Sequence, residues 1–244
     1  MSRNQDRMSN HLKGKVAIVT GSTKGIGLAI AERMINEGAF VVVTSRTEAD
    51  VTAVSARLGE NALGVVCDVA SPEACAAMVE QTVDHFGRLD VLVNNAGVGV
   101  FKSMSEMSID EWQTQVDVNL GGVFYCSKAA LSHLTASGDG YIINVASLAS
   151  RNAFARGTGY NASKFGLLGL TEAMMLDVRH DQVRVSIVMP GSVNTYFNDN
   201  EPDEARGWKL EADDCAIAVM QLFKYPREAH VSRIEMRPAV PPRN

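Results

Sequence analysis

Lys15-Val16-Ala17-Ile18-Val19-Thr20-Gly21-Ser22-Thr23-Lys24-Gly25-Ile26-Gly27 joins a short apolar run to a glycine-rich turn. A helical pattern follows from Ile26 to Glu37 and stops at Gly38. Strand, tight turn and helix in that order form the opening unit of a doubly wound α/β sheet. Gly21 lets the chain turn sharply. Gly25 lets backbone approach a pyrophosphate, and Gly27 lets the helix pack closely on the strand. The first turn of the helix, with Thr23, Lys24 and Ile26 around it, offers free N–H groups and partial positive charge to phosphates. The spacing G-x-x-x-G-x-G differs from G-x-G-x-x-G, and no Gly-Lys-Ser/Thr follows as a P-loop requires. A plain glycine-rich turn is the competing reading of these residues alone.

The same alternation continues outward. Strands are expected at Phe40–Thr44, Ala62–Cys67, Leu89–Val93, Tyr141–Val145, Val183–Val188 and Val231–Met236. Helices are expected at Ala49–Leu58, Pro72–Phe86, Asp110–Leu134, Tyr160–His180 and Asp213–Phe223. Ser71 and Pro72 supply an N-cap and a first-turn proline for one of them. Strands this apolar need cover on both faces, so the alternation predicts a Rossmann-type parallel sheet of about seven strands with helices on both sides. No linker interrupts the pattern. It predicts a polar, flexible arm over residues 1–13 and a single domain over 14–244.

Composition narrows the function. The 244 residues carry 23 basic and 28 acidic groups, a net charge of −5, which argues against a nucleic-acid partner. No run approaches the ~18 apolar residues of a membrane helix, and the polar first ten residues lack a secretory signal, so a cytoplasmic protein is expected. Cys67, Cys75, Cys126 and Cys215 form no C-x-x-C pair and read as small buried hydrophobes. The five histidines (His11, His85, His133, His180 and His230) show no metal spacing, so no metal is expected.

In this architecture ligands sit beyond the carboxyl ends of the strands. The second strand ends at Thr44-Ser45-Arg46, where an acid would bind a ribose 2′-hydroxyl. Arg46 stands there instead, with Lys24 as a second cation, and a guanidinium pairs strongly with a 2′-phosphate. The cofactor expected is therefore NADP(H) in preference to NAD(H). Thirteen residues after Ser147 comes Tyr160-Asn161-Ala162-Ser163-Lys164. Tyr160 and Lys164 share one helix face at i and i+4. A nearby ammonium favours a phenolate, and a lowered phenol pKa suits general acid–base work. Ser147, at the end of the fifth strand, is placed to hydrogen-bond a carbonyl. It is not in a G-x-S-x-G elbow, which disfavours a hydrolase.

With these residues together, the sequence resembles the short-chain dehydrogenase/reductase family, and is similar to its 3-oxoacyl-acyl-carrier-protein reductases. The resemblance covers residues 14 to about 195. It rests on Thr20-Gly21-x-x-x-Gly25-x-Gly27, Asn94-Asn95-Ala96-Gly97, Ser147, Tyr160-x-x-x-Lys164 and Pro190-Gly191. It implies that Tyr160 is the proton donor in reduction, that Lys164 holds the nicotinamide ribose and lowers the tyrosine pKa, and that Ser147 orients the substrate oxygen. It implies that Asn119 holds a water in the proton relay. It runs the cofactor along the glycine loop, Ser45 and Arg46, Asp68 and Val69, Asn94, Asn95, Ala96 and Gly97, and Pro190, Gly191, Val193 and Thr195. It also implies a homodimer or homotetramer built on long helices.

Two features depart from the family's commonest pattern. Only about twenty residues separate Pro190-Gly191 from the helix at Asp213, which implies a short lid and an open pocket. The end, Glu235 to Asn244, lacks the usual Gly-Gly and aromatic residues of a second interface. Arg151 and Arg156, between Ser147 and Tyr160, are candidates to meet an anionic substrate or an acidic carrier, against which stand the acids of Asp199-Asn200-Glu201-Pro202-Asp203-Glu204. The activity expected is hydride transfer between NADP(H) and a carbonyl or alcohol, a 3-oxoacyl thioester first. The alternatives are small ketones, quinones or sugars, or a catalytically silent NADP-binding sensor or scaffold.

Overall fold

The computed structural model describes residues 11–203 and 207–242. Seven strands form one parallel sheet: β1 (Val16–Val19), β2 (Phe40–Ser45), β3 (Ala62–Val66), β4 (Val91–Asn94), β5 (Gly140–Val145), β6 (Val183–Pro190) and β9 (Arg233–Met236). Their order is β3-β2-β1-β4-β5-β6-β9. The chain therefore builds outward from β1 in one direction, then crosses back to lay β4 on its other side. Above β1 and β4 the loops leave in opposite directions and open a crevice, the usual ligand position in such sheets. A separate two-stranded pair, β7 (Val193–Asn194) and β8 (Leu210–Glu211), lies in the lid.

Side chains alternate across the sheet as the pleat requires. Ala17, Val19, Val41 and Val43 point into a core shared with Ile30 and Met34 of α1 (Gly25–Asn36) and Val219 and Leu222 of α7 (Ala212–Leu222). Val54 and Leu58 of α2 (Glu48–Leu58) pack on the same side. Val16, Ile18 and Val42 point the other way, onto α3 (Pro72–Phe86) and α5 (Gly122–Ala136). Leu167 of α6 (Thr158–Val178) completes that layer with Val123 and Ile187. Ser71 caps α3 by accepting from the Ala74 amide at 3.1 Å, and Gly87 ends it in the left-handed conformation at φ 75°.

Several boundaries differ from the sequence reading by a residue or two, and three differences bear on the argument. The helix expected over Asp110–Leu134 is α4 (Ile109–Val116), a π-helical turn at Asp117–Gly121, and α5. Hydrophobic periodicity does not register one extra residue in a turn, yet that turn carries Asn119. The helix expected to start at Tyr160 starts at Thr158 and gives way to a 3-10 turn at Arg179–Asp181, because Gln182 adopts φ 62°. The flexible arm expected over residues 1–13 does not extend to its last residues. Leu12 is fully buried, and Gly14 donates its amide to the Gly38 carbonyl at 2.9 Å. A leucine anchors the chain there before the first strand begins, and residues 1–10 of the expected arm lie outside the described residues. All four cysteines are buried and free, and Cys126 Sγ reaches Cys75 Sγ at 3.4 Å between α5 and α3.

Candidate active site

Six strand ends converge on a cavity of about 500 Å³. Gly21, Thr23, Lys24, Gly25 and Ile26 reach it after β1, Ser45 and Arg46 at the end of β2, and Asp68 and Val69 after β3. Asn95, Ala96 and Gly97 come from β4, Ser147 from β5, and Pro190, Gly191, Val193 and Thr195 from β6 and the lid. Tyr160 and Lys164 of α6 line it as well.

The glycine loop is tight for reasons visible atom by atom. Gly21 has φ 62°, and a Cβ there would lie 2.9 Å from Ala96 Cα. A Cβ on Gly27 would lie 2.4 Å from Asn95 Nδ2 and 2.5 Å from the Gly21 carbonyl oxygen. Gly27 is thus a packing residue beneath the loop. Asn95 explains the second contact, since its Nδ2 donates to the carbonyls of Thr20 and Gly21 at 2.9 and 3.0 Å. Thr20 Oγ1 in turn accepts from the Asn95 and Ala96 amides. The helix α1 begins at Gly25 with no side-chain cap and no acid in its first turn, so its leading N–H groups face the cavity without an internal partner.

The asparagine pair divides its labour. Asn95 lines the cavity, whereas Asn94 does not. Asn94 is 3% exposed and donates to Ser127 Oγ and Asn144 Oδ1, a brace between β4, β5 and α5. The expectation that Asn94 lines the cleft is therefore corrected: the last residue of a buried strand turns its side chain along the sheet.

At the reaction end, Tyr160 is 8% and Lys164 4% exposed. Burial pushes the Tyr160 phenol above its ordinary value, and a hydrogen bond with Ser147 opposes that rise. The lowering expected from Lys164 is not found in the free molecule. Its ammonium lies 5.8 Å from the Tyr160 ring centroid and donates to the Val145 carbonyl at 3.4 Å, so Ser147 supplies the opposing pull. Burial brings Lys164 itself down to about 8. Asn119 is fully buried, outside the cavity lining, and its side-chain amide makes three hydrogen bonds. Nδ2 donates to the Val98 carbonyl and Ser163 Oγ at 2.9 and 3.0 Å, and Oδ1 accepts from the Val98 amide at 2.8 Å. Its side chain pins the loop after β4 to α6, with both amide hydrogens in use.

Lys164 makes the site a destabilising feature of the free protein. Its folded pKa lies below the ~10.4 of an exposed lysine, so below pH 8 the unfolded chain holds the charge more easily. The penalty is complete below pH 8 and fades as pH rises toward the unfolded value. Lys164→Met is therefore expected to raise stability at pH 7 by about 3 kcal/mol, and to raise it less at pH 10. Urea unfolding at the two pH values checks the difference. An equal effect at both would show that Lys164 is not buried as a cation.

Sequence reasoning missed an aromatic group around Tyr160. Phe101 meets its ring edge-on at 5.3 Å between centroids, Phe197 lies at 5.7 Å and Phe154 at 6.5 Å. These residues come from three loops, and no local periodicity links them. The two arginines placed near the pocket mouth are engaged elsewhere. Arg151 pairs with Glu235 at 2.6 Å and Arg156 with Glu106 at 3.1 Å, and neither lines the cavity.

Against known proteins, the family model described as short chain dehydrogenase matches residues 15–206. The chain is 36% identical over 217 residues to the 3-oxoacyl-[acyl-carrier-protein] reductase FabG of Haemophilus influenzae, covering 85% of this chain and 90% of that protein. A metagenomic short-chain oxidoreductase solved with NADP is 37% identical, with TM-score 0.82 and coverage of 94% and 100%. The 3-ketoacyl-(acyl-carrier-protein) reductase of Brucella melitensis, complexed with NADH, is 28% identical, with TM-score 0.86 and coverage of 93% and 98%.

Proposed function

From the premise that the chain belongs to the short-chain dehydrogenase family of oxidoreductases, we propose that it is an NADP(H)-dependent carbonyl reductase or alcohol dehydrogenase acting in the cytoplasm. The observation that carries the reading is the half-buried Ser147 with buried Tyr160 and Lys164 in one crevice that Arg46 and Lys24 also line. Among the described residues no helix is long and apolar enough to cross a membrane.

The residues fit a dinucleotide on structural grounds. The cavity beside the glycine loop, the uncapped start of α1, and a buried ammonium with one acceptor at 3.4 Å all call for a ligand with phosphates and hydroxyls. When bound, the reduced nicotinamide supplies a hydride. The first turn of α1 would hold the pyrophosphate, Asp68 and Val69 the adenine end, Lys164 the ribose hydroxyls, and Val193 and Thr195 the carboxamide. Ser147 donates a hydrogen bond to the substrate oxygen and holds the carbonyl beside the phenol. Tyr160, kept protonated by burial, donates its proton to that oxygen as negative charge develops. In the reverse direction the tyrosinate accepts it.

Arg46 and Lys24 support NADP(H) over NAD(H). Both are exposed, line the cavity and form no ion pair among the described residues, and no acid ends β2. A 3-oxoacyl thioester as substrate keeps the support of the FabG relatives but loses that of Arg151 and Arg156. NADPH oxidation at 340 nm against an acetoacetyl thioester, a quinone, a diketone and an aldose tests the activity. Cofactor binding with no turnover on any carbonyl would favour the silent scaffold.

Assembly into a homodimer or homotetramer belongs to the same proposal. Ala162, Phe165, Gly169, Ala173 and Leu176 form an exposed small and apolar stripe along α6, and Phe124 on α5 is exposed as well. Apolar faces of this kind usually mark an interface. Phe165→Asp is expected to convert the assembly to monomer in light scattering. A wild-type monomer at micromolar concentration would overturn the assignment.

A further inference from the structure

We infer that the substrate is a neutral carbonyl compound carrying an aromatic or alicyclic ring, and that Phe197 of the lid is the residue that selects it. The inference rests on the oxidoreductase reading and narrows its substrate class.

The first observation is the wall around the proton donor. Phe101, Phe154 and Phe197 surround the Tyr160 ring, and Phe101 also lies 5.6 Å from Phe154 and 6.4 Å from Phe197. Phe197 lines the cavity itself, next to Tyr196. It can do so because residue 99 is glycine: a Cβ there would stand 2.6 Å from the Phe197 ring. Tyr196, beside Phe197 in the lining, is 47% exposed, so a large ring stays open to solvent there, while Phe154, 45% exposed, packs near Tyr160 outside the lining.

The second observation is the placement of charge. The charged residues lining the cavity are Lys24, Arg46, Asp68 and Lys164. Arg46 and Asp68 follow β2 and β3, and Ser147 follows β5. In the order β3-β2-β1-β4-β5, β2 lies three strand spacings from β5, roughly 14 Å. Lys24 lies at the start of α1 with its ammonium 5.8 Å from the Tyr196 ring centroid, and Lys164 is buried with its ammonium 5.8 Å from the Tyr160 ring centroid. Among the described residues lining the cavity, only Lys164 stands at the Tyr160 end, and its ammonium is buried and directed at the Val145 carbonyl, so little there offsets the desolvation of an ionic substrate. Rings packed against Tyr160 offer instead stacking and edge contacts to another ring.

The chemistry balances with NADPH as reductant. Its hydride forms the new C–H bond at the carbonyl carbon, the C=O π pair moves onto oxygen, and that oxygen takes the Tyr160 proton. The products are NADP⁺ and a secondary or benzylic alcohol, and water reprotonates the tyrosinate.

The test compares kcat/KM for acetophenone, 4-carboxyacetophenone, 2-butanone and acetoacetyl-CoA, in wild type, Phe197→Ala and Phe154→Ala. Acetophenone is expected to lead, with its ratio to 2-butanone falling about tenfold in Phe197→Ala. Circular dichroism and NADPH fluorescence establish that each variant is folded and binds cofactor, and Phe154→Ala gives an independent loss of the ratio should Phe197→Ala misfold. A preference for acetoacetyl-CoA or the carboxylated ketone, or a ratio unmoved by both variants, overturns the inference and leaves the oxidoreductase reading standing. Bound NADPH with no turnover on any of the four or on the quinone, diketone and aldose overturns both.

Discussion

Tyr160→Phe is expected to lower carbonyl reduction by about 10³–10⁴-fold, with NADPH affinity unchanged within about twofold. The ring stays and only the hydroxyl leaves, so contacts with Phe101, Phe154 and Phe197 survive. What disappears is the one acidic proton that meets the substrate oxygen. Ser147 cannot replace it, because an aliphatic hydroxyl is a far weaker acid than a phenol. Lys164, brought down to about 8, still carries its proton at pH 7, but its ammonium lies on the Val145 side of the phenol. The loss should fall on kcat, since the proton moves only as charge develops on oxygen. Single-turnover absorbance at 340 nm measures it with cofactor already bound. Turnover within tenfold of wild type would remove Tyr160 from the proton-donor role.

The sequence made the sheet legible because its strands are short, apolar and separated by glycine-marked turns. The same regularity put Ser147, Tyr160 and Lys164 at one end of the fold before any coordinates. What stayed hidden depended on geometry that no single segment encodes. The π-helical turn at Asp117–Gly121 leaves the hydrophobic pattern intact while aiming the Asn119 amide at Val98 and Ser163. The partners of Arg151 and Arg156 lie 84 and 50 residues away in the chain, so their availability to a ligand could not be judged locally. The aromatic wall is hidden for the same reason. Phe101, Phe154 and Phe197 meet only because the segments that follow β4, β5 and β6 leave the carboxyl ends of three neighbouring strands. Even the sign at Tyr160 needed the fold, because the lysine one helical turn away acts on the phenol less than burial does.

Arg46→Asp is expected to reverse cofactor preference, moving the NADPH to NADH ratio of kcat/KM by at least about 10²-fold. Hydrogen bonds to a charged group are worth about 1.5–3 kcal/mol, which alone gives roughly 10–150-fold for loss of the guanidinium. An aspartate adds repulsion of the 2′-phosphate, and it can accept from the ribose 2′-hydroxyl that NADH presents. The end of β2 is suited to the exchange, because Arg46 is exposed and forms no ion pair among the described residues, so no such contact is broken by reversing its charge. Lys24 is the second cation, and its ammonium is partly occupied by the Tyr196 ring. Lys24→Ala alone should therefore move the ratio less than Arg46→Asp. Both effects should shrink as ionic strength rises, since exposed charges beyond a Debye length of about 8 Å are screened. Steady-state kinetics with the two cofactors at low and high salt measure these terms. An unchanged ratio in Arg46→Asp together with a large change in Lys24→Ala would transfer phosphate recognition from the end of β2 to the glycine loop. An unchanged ratio in both would mean that the crevice does not discriminate by charge.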